Sequence, residues 1–353
     1  MDVGRPDVRR GGGRRSARDR GALAAAGLVT GSERTKSRRA DGPDVHVIVH
    51  GGAGSPADEP ADRAAVLAEA ADAGTQQPGP LAAVCAAVRV LEADPRFNAG
   101  VGGAVQSDGV PRTDAGVMCG DGRTGAAAAM PGVAHAVDAA RAVATDTPHV
   151  MLAGERAVDF ADAAGVETGV DLWSGASRKR WAEADAPGHA DGEGDADIAA
   201  QLAWVRERFG GDDAGGTGGD GADPESPPRD HDTVGAVATD GEGVAAATST
   251  GGRWYALAGR VGDVPQVGAG FYASPTGGAS ATGAGEDIAR EGLARRAVAL
   301  LEHGEDAAAA ARTAIAEFDD AAAGDAGVIV VDSEGRAGEA YNSPAMQTAR
   351  TDG

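Results

Sequence analysis

Lysine is almost missing from this chain. Lys36 and Lys179 are its only two among 353 residues, so arginine carries nearly all the positive charge. Acidic residues outnumber basic ones by 54 to 32, for a net charge of -22. A surface of that sign repels nucleic acid and anionic membranes at long range, which argues against either as a partner. With abundant alanine, glycine and aspartate, it reads as the solvated surface of a salt-adapted, halophilic protein. Cysteine is as scarce. Cys85 and Cys119 stand alone and make neither a disulfide framework nor a metal site. Cys85 falls on the apolar side of a helical pattern and reads as a packed small hydrophobe. Long apolar runs are lacking as well, and none approaches the length that spans a bilayer. Arginine pairs at Arg9-Arg10 and Arg14-Arg15 precede the weakly apolar stretch Gly21–Val29. That stretch is too short for a twin-arginine signal and is followed by no clear small-residue cleavage site. The chain reads as cytoplasmic.

What is present is a folded pattern that begins at Val45. Residues 1–43 are rich in arginine, glycine and serine without periodicity, and are expected to be a disordered tail. Val45–His50 has a buried-strand pattern, and Gly51–Gly54 reads as a tight turn. His46 and His50 have no third partner at metal spacing and read as packing residues. Residues 60–73 form an alanine-rich helix. From Pro80 a second helix sets Leu81, Val84, Cys85, Val88 and Leu91 in one stripe, with proline in its first turn and a stop at Asp94-Pro95. The glycine cluster Phe97–Gly103 invites a phosphate-loop reading. A dinucleotide fingerprint follows a strand and opens a helix, whereas this cluster follows a helix and precedes strands, so phosphate binding is set aside.

Short strands are expected at 114–118 and 125–130, and helices at about 134–145 and 153–163. Residues 174–232 differ in kind: beyond one helix at 198–209 they read as linker, most plainly the acidic glycine run at about 210–231. After Thr233 come two strands around Asp240–Gly243. A helix opened by Ser280–Glu286 runs to about Leu301, and another spans roughly 305–320. Strands at Gly327–Val331 and Arg336–Ala340 close the pattern. This order of strands, two helices and strands suits a layered α+β or sandwich domain better than regular βαβ alternation.

Thr233 stands where the acidic linker meets an apolar strand, in His231-Asp232-Thr233-Val234-Gly235-Ala236-Val237-Ala238. A threonine hydroxyl is a poor nucleophile and needs a base beside it. If the Asp232–Thr233 bond were cut, the new α-amino group, with a reference pKa of about 7.7–8.0, would be that base. Taken alone, a threonine at a strand start is ordinary β-propensity.

Four motifs in order carry the argument further: the segment 231–238, Ala-Thr-Ser-Thr-Gly-Gly at 247–252, Gly-Arg-Val-Gly-Asp at 259–263 and Ala-Thr-Gly-Ala-Gly-Glu at 281–286. Together they resemble the plant-type L-asparaginase/isoaspartyl peptidase family, which are N-terminal-nucleophile hydrolases of the threonine type. The resemblance extends through His50–Gly54, Phe97–Gly100, Pro148–Leu152 and Tyr341-Asn342. It covers about 45–173 and 231–346. It implies an α+β fold, the four-layer αββα sandwich. It also implies one domain over 44–353, cut into an α chain of 44–232 and a β chain of 233–353, paired as a dimer of cleaved heterodimers.

The same resemblance assigns roles. Thr233 would be the nucleophile, freed by its own attack on the Asp232 carbonyl, and Thr250 would orient its hydroxyl. Arg260 would take a substrate α-carboxylate as a fork of donors. Asp263 would take the α-ammonium, with Val261 and Gly262 between them. Arg260 and Asp263 also read as a mutual surface ion pair. The turn Thr282-Gly283-Ala284-Gly285 would supply head-group contacts. Its Thr282 and Gly283 would form the oxyanion hole, where donors are worth about 3 kcal/mol each, and the alternative for the turn is helix capping. The loop carrying Leu91, Glu92, Asp94, Phe97, Ala99 and Val101 resembles one that wraps a structural sodium ion with backbone carbonyls. No other cofactor is implied.

The chain departs from the family at Asp232, where many members have glycine, and at Arg253–Ala258, which leaves substrate preference open. The implied substrates are small molecules, L-asparagine or β-aspartyl dipeptides, hydrolysed through a β-aspartyl ester on Thr233. A glycosylasparaginase is the nearest alternative, although those relatives tend to carry asparagine after the threonine that matches Thr250. A non-processing acidic binding protein is the alternative from another class.

Overall fold

The computed structural model describes residues 44–187, 197–210 and 233–351. The expected tail at 1–43, nearly all of the acidic linker, and Asp232 lie outside the described residues. A seven-stranded sheet is built from β1 (His46–Gly54), β2 (Arg112–Cys119), β3 (Thr124–Pro131), β4 (Met151–Ala153), β5 (Val234–Thr239), β6 (Val244–Thr250) and β11 (Ala345–Arg350). Their spatial order is β11-β1-β5-β6-β2-β3-β4, antiparallel throughout except for the β3–β4 pair. A second, antiparallel sheet runs β10-β9-β8-β7, from β7 (Phe271–Ser274), β8 (Gly277–Gly283), β9 (Ala326–Asp332) and β10 (Ala337–Tyr341).

Alternation along the strands sorts the side chains. On β1, β5 and β6, Val47, Val49, Val234, Ala236, Ala238, Ala245 and Ala247 pack with α1 (Pro60–Thr75), α2 (Pro80–Glu92) and α3 (Ala136–Asp146). The intervening Ile48, Val237, Val244 and Ala246 pack with Phe271, Ala273, Ile329 and Val331 of the smaller sheet. On that sheet Ala279, Ala281, Val328 and Val330 face the other way. They pack with α8 (Leu293–Glu302) and α9 (Ala307–Ala321). The α2 stripe is buried as its spacing requires, with Val84, Val88 and Leu91 at 0% exposure. Cys85 is packed there too, and burial pushes its thiol up to about 12.

Several expectations need correction. Gly51–Gly54 is not a turn: β1 continues through it, because β11 pairs along its edge and a register shift between His50 and Ala53 absorbs the irregularity. Residues 280–283 are not helical; they end β8, a strand of glycine, alanine and serine that carries little β-propensity signal. The helix behind them starts at Gly285 as α7 (Gly285–Glu291) and breaks at Gly292, whose φ of 66° is left-handed, before α8 begins. Gly175–Ala182, read as linker, is a helix (α5). Ser174 and Ser177 close a capping box at its start, and Trp181 is buried. The helix expected at 198–209 is present as α6 (Ile198–Phe209). Glu155–Ala163, near the expected position, is α4.

Candidate active site

The space between the sheets is apolar at one end and rich in hydroxyls at the other. Alternation puts His50, Thr248, Thr250, Ser280 and Thr282 on the same strand faces as Ile48, Val244, Ala246 and the rest of the inter-sheet cluster. Burial without partners would be costly for these groups; the hydroxyls and His50 Nε2 find partners, while His50 Nδ1 is buried without a hydrogen-bond partner among the described residues. His50 Nε2 lies 2.8 Å from Ser280 Oγ, which lies 2.7 Å from Thr248 Oγ1, and Thr248 donates to the Gly270 carbonyl at 2.8 Å. Burial holds the His50 imidazole down at about 3, partly offset by the Thr233 backbone, so it is neutral. The packing reading of His50 therefore holds. Among the described residues, no group of three His, Cys, Asp or Glu side chains is placed to hold a metal.

Thr233 immediately precedes β5 and is 7% exposed. Val234 pairs with Ser249, which sets Thr233 beside the last residue of β6. The Thr233 hydroxyl donates to Thr250 Oγ1 at 3.3 Å. Thr250 Oγ1 in turn accepts from the Gly252 amide at 3.0 Å and contacts the Asn98 carbonyl at 3.4 Å. Asn98 fixes that strand end from the other side. Its Oδ1 accepts from Ala104 N and its Nδ2 donates to the Gly252 carbonyl, both at 2.7 Å, while its carbonyl accepts from Gly251 N at 2.8 Å. The loop resembling a sodium site is thus tied to the partner of Thr233. Within it, Val101 N donates to the Glu92 carbonyl at 3.2 Å and Phe97 N to the Asp94 carbonyl at 3.1 Å. Glu92, fully buried, accepts from Ser249 Oγ at 2.6 Å and from Val137 N at 3.0 Å.

Thr282 Oγ1 accepts from the Ala53 amide at 3.3 Å, joining β8 to β1. Gly283 ends β8, and the Ala284 amide is spent on the Asp325 carbonyl at 2.7 Å. Gly285 lets Arg260 and Asp263 close in: a Cβ there would stand 2.6 Å from Asp263 Oδ1 and 2.8 Å from Arg260 Nη2.

Asp263 is buried and Arg260 is partly buried, and the two do not form the alternative surface pair. The guanidinium of Arg260 is bound through Nε and Nη2 to Glu286, at 2.9 Å each. Asp263 Oδ2 is buried without a hydrogen-bond partner among the described residues. Burial pushes the Asp263 carboxyl up to about 7 against the pull of Arg260. Asp114, which pairs across β2–β6 with Thr250, is pushed up to about 6 by burial, offset by the Ala129 amide and Arg260. Burial also raises Glu286, but its bonds to Arg260 more than reverse this and leave it at about 2. A cation fork, two carboxyls poised near neutrality and a paired threonine hydroxyl are groups suited to a zwitterionic head and an acyl-transfer nucleophile. Sequence reasoning gave no role to Glu286, Asp114 or Asn98. Glu286 closes a recognised motif and Asn98 lies inside another, so both were within reach. Nothing local marks Asp114.

The asparaginase family model matches residues 44–353. The plant-type L-asparaginase of Pyrococcus abyssi (strain GE5 / Orsay) is 37% identical over 314 residues, covering 86% of this chain and 95% of that protein. The plant-type L-asparaginase of Pyrobaculum calidifontis is 40% identical over 312 residues, 85% of this chain and 94% of that protein. An isoaspartyl peptidase of Salmonella typhimurium is 37% identical over 320 residues, 86% and 94%. The chain belongs to the asparaginase family and is a hydrolase.

Proposed function

We propose that this protein is a self-cleaving threonine hydrolase acting on the side-chain amide of L-asparagine and on β-aspartyl dipeptides. The observation that carries the reading is the 3.3 Å bond between the Thr233 and Thr250 hydroxyls at the start of β5. In maturation, Thr233 Oγ attacks the Asp232 carbonyl and the peptide C–N bond breaks. An ester on Thr233 Oγ forms, the nitrogen keeps its proton and gains a second one, and water then hydrolyses the ester. This leaves a carboxylate on Asp232 and a free α-amine on Thr233.

In turnover that amine takes the hydroxyl proton as Oγ attacks the substrate β-carbonyl. The amide nitrogen leaves with the proton as ammonia, or as the α-amine of the second residue of a dipeptide. Water then hydrolyses the β-aspartyl ester and releases aspartate. Thr250 orients the hydroxyl, and Thr282 with Gly283 stabilises the oxyanion. Arg260 takes the α-carboxylate and the unpaired Asp263 oxygen takes the α-ammonium, with Val261, Gly262, Ala284 and Gly285 shaping the pocket.

The two packed sheets with helices against their outer faces support the four-layer αββα sandwich. The resemblance assigns a structural sodium ion to the loop of Leu91, Glu92, Asp94, Phe97, Ala99 and Val101. A Cβ at Gly100 would run into the Glu92 carbonyl, so the loop backbone closes tightly on itself, which supports this assignment. The ion would add no chemistry; it would hold the loop that carries Asn98. The dimer of cleaved heterodimers, the cytoplasmic setting and salt adaptation complete the reading. The first is supported by the family and the last by the net charge of -22.

The test is intact mass and N-terminal sequencing in high salt. Wild type yields fragments of 232 and 121 residues, and Thr233→Ala stays whole and inactive. Hydrolysis at full rate by an uncut wild type refutes the mechanism; a cut in the alanine variant assigns the cleavage to another protease.

A further inference from the structure

Helix α6 buries one residue, and that residue is polar. Gln201 is 5% exposed while Ile198 on the same helix is 58% exposed, so the most deeply buried contact of the helix is a polar one. Gln201 Oε1 accepts from the fully buried Ser107 hydroxyl at 2.6 Å. The same hydroxyl accepts from the Ala258 amide at 2.9 Å, and Ser107 N donates to the Ala256 carbonyl at 2.8 Å. Gln106, next in the chain, takes the other end of that segment. Its Oε1 accepts from Gly259 N at 2.8 Å and its Nε2 donates to the Arg260 carbonyl at 2.9 Å. The backbone that carries Arg260 therefore hangs on Gln106 and Ser107, and Ser107 is held by α6.

A second contact reaches the side chain. Phe209, the last residue of α6, lies 4.4 Å beneath the Arg253 guanidinium, and Arg253 approaches the Glu286 carboxylate at 3.8 Å. Glu286 is the carboxylate that holds the Arg260 fork. Between these two contacts the aromatic rings close up. Trp204 of α6 meets Tyr255 edge-on at 5.5 Å, and Trp173, Trp181 and Trp254 complete a cluster containing all four tryptophans of the chain.

We propose that α6 is a positioning clamp for the substrate head group: through Gln201–Ser107 and the Trp204–Tyr255 contact it sets the segment 256–260, and with it Arg260. Segment 253–258 is the surface the clamp grips. Gln201 and Trp204 are positioning residues, since neither is placed to touch substrate. The clamp acts on binding and leaves the chemistry at Thr233 alone. It lies in the fragment that ends at Asp232, whereas Arg260 lies in the other, so it works across the cut. The inference rests on the reading of Arg260 as the α-carboxylate donor.

The test uses the full chain with Gln201→Leu and, separately, Trp204→Ala. The readouts are intact mass, kcat and KM for L-asparagine and a β-aspartyl dipeptide, and tryptophan fluorescence, which reports only this cluster. Both variants should cleave as wild type does and keep kcat within about twofold, while KM rises at least fivefold for both substrates. Trp204→Phe, which keeps an aromatic edge against Tyr255, should stay near wild type. Unchanged KM in Gln201→Leu and Trp204→Ala overturns the clamp and leaves the hydrolase reading standing. Parallel losses of kcat, KM and cleavage mark a general folding role and overturn it too. A wild type that neither cleaves nor turns over would instead refute the hydrolase reading on which the clamp depends.

Discussion

The guanidinium of Arg260 meets the carboxylate of Glu286 through two parallel bonds, Nε to Oε1 and Nη2 to Oε2, each 2.9 Å long. With its side chain 16% exposed, Arg260 is held in one orientation before any substrate arrives. The Nε–Nη2 edge of the guanidinium is engaged, while its Nη1–Nη2 edge keeps three N–H groups that Glu286 does not bind. An α-carboxylate would be taken bidentately along that second edge or by partial displacement of Glu286. In either case the planar geometry of the guanidinium is required.

Arg260→Lys should therefore cost more than conservation of charge implies. A lysine ammonium satisfies Glu286 as a point charge and has no second arm to present. KM for L-asparagine should rise about tenfold or more with kcat changed far less, a binding loss of about 1.4 kcal/mol per factor of ten. Self-cleavage, which involves no free α-carboxylate, should proceed normally by intact mass. An unchanged KM would confine Arg260 to its bond with Glu286.

Substrate capture should weaken in acid well above the ordinary aspartate range. Burial raises Asp263 to about 7, and only its ionised form attracts an α-ammonium. KM should climb as pH falls through about 7. Stability of the free enzyme runs the other way. With a folded pKa above the unfolded value of about 3.9, the folded state holds the extra proton, so stability from this group is lost as pH rises from about 4 to 7. Asp114, raised to about 6, adds in the same direction. Glu286, held at about 2 against an ordinary 4.5, contributes stability above 4.5 that disappears as pH falls toward 2. Steady-state kinetics and melting curves between about pH 4 and 8.5 check both signs. A flat KM over the range 5.5 to 8 would remove Asp263 from the head-group site.

Replacing sodium with caesium at constant ionic strength should lower the melting temperature if carbonyls of the 91–101 loop hold the ion. Constant ionic strength keeps general screening of the acidic surface unchanged. Because Asn98 ties this loop to Gly251 and Gly252, kcat should fall along with stability. Indifference to the cation would make the loop a purely protein-built support.

Phe271→Ala should destabilise the protein by about 3–5 kcal/mol, since it opens a cavity in the space between the sheets. Phe271 is fully buried there, and its ring lies so close to Gly116 that a Cβ at Gly116 would clash with it. Denaturant unfolding of the inactive Thr233→Ala background separates this loss from any effect on cleavage.

The sequence by itself determined the elements whose signals are local. The α2 stripe from Leu81 to Leu91, the β5–β6 pair around Asp240–Gly243 and α6 all follow from periodicity and turn chemistry. So does the suspicion of Thr233, whose hydroxyl stands at the border of a linker and a strand, and the four motifs give it a family. What only the tertiary structure decided depends on pairing between distant segments. β8 looks like a helix start because glycine, alanine and serine carry no strand signal until β7 and β9 flank it. β1 runs through Gly51–Gly54 because β11, nearly 300 residues later, binds its edge. Glu286 takes the Arg260 fork, Asp114 lies opposite Thr250, and Ser107 joins α6 to the head-group segment. Each is a pairing between residues distant in sequence, and no periodicity along one chain records which distant partner will meet a buried charge or hydroxyl.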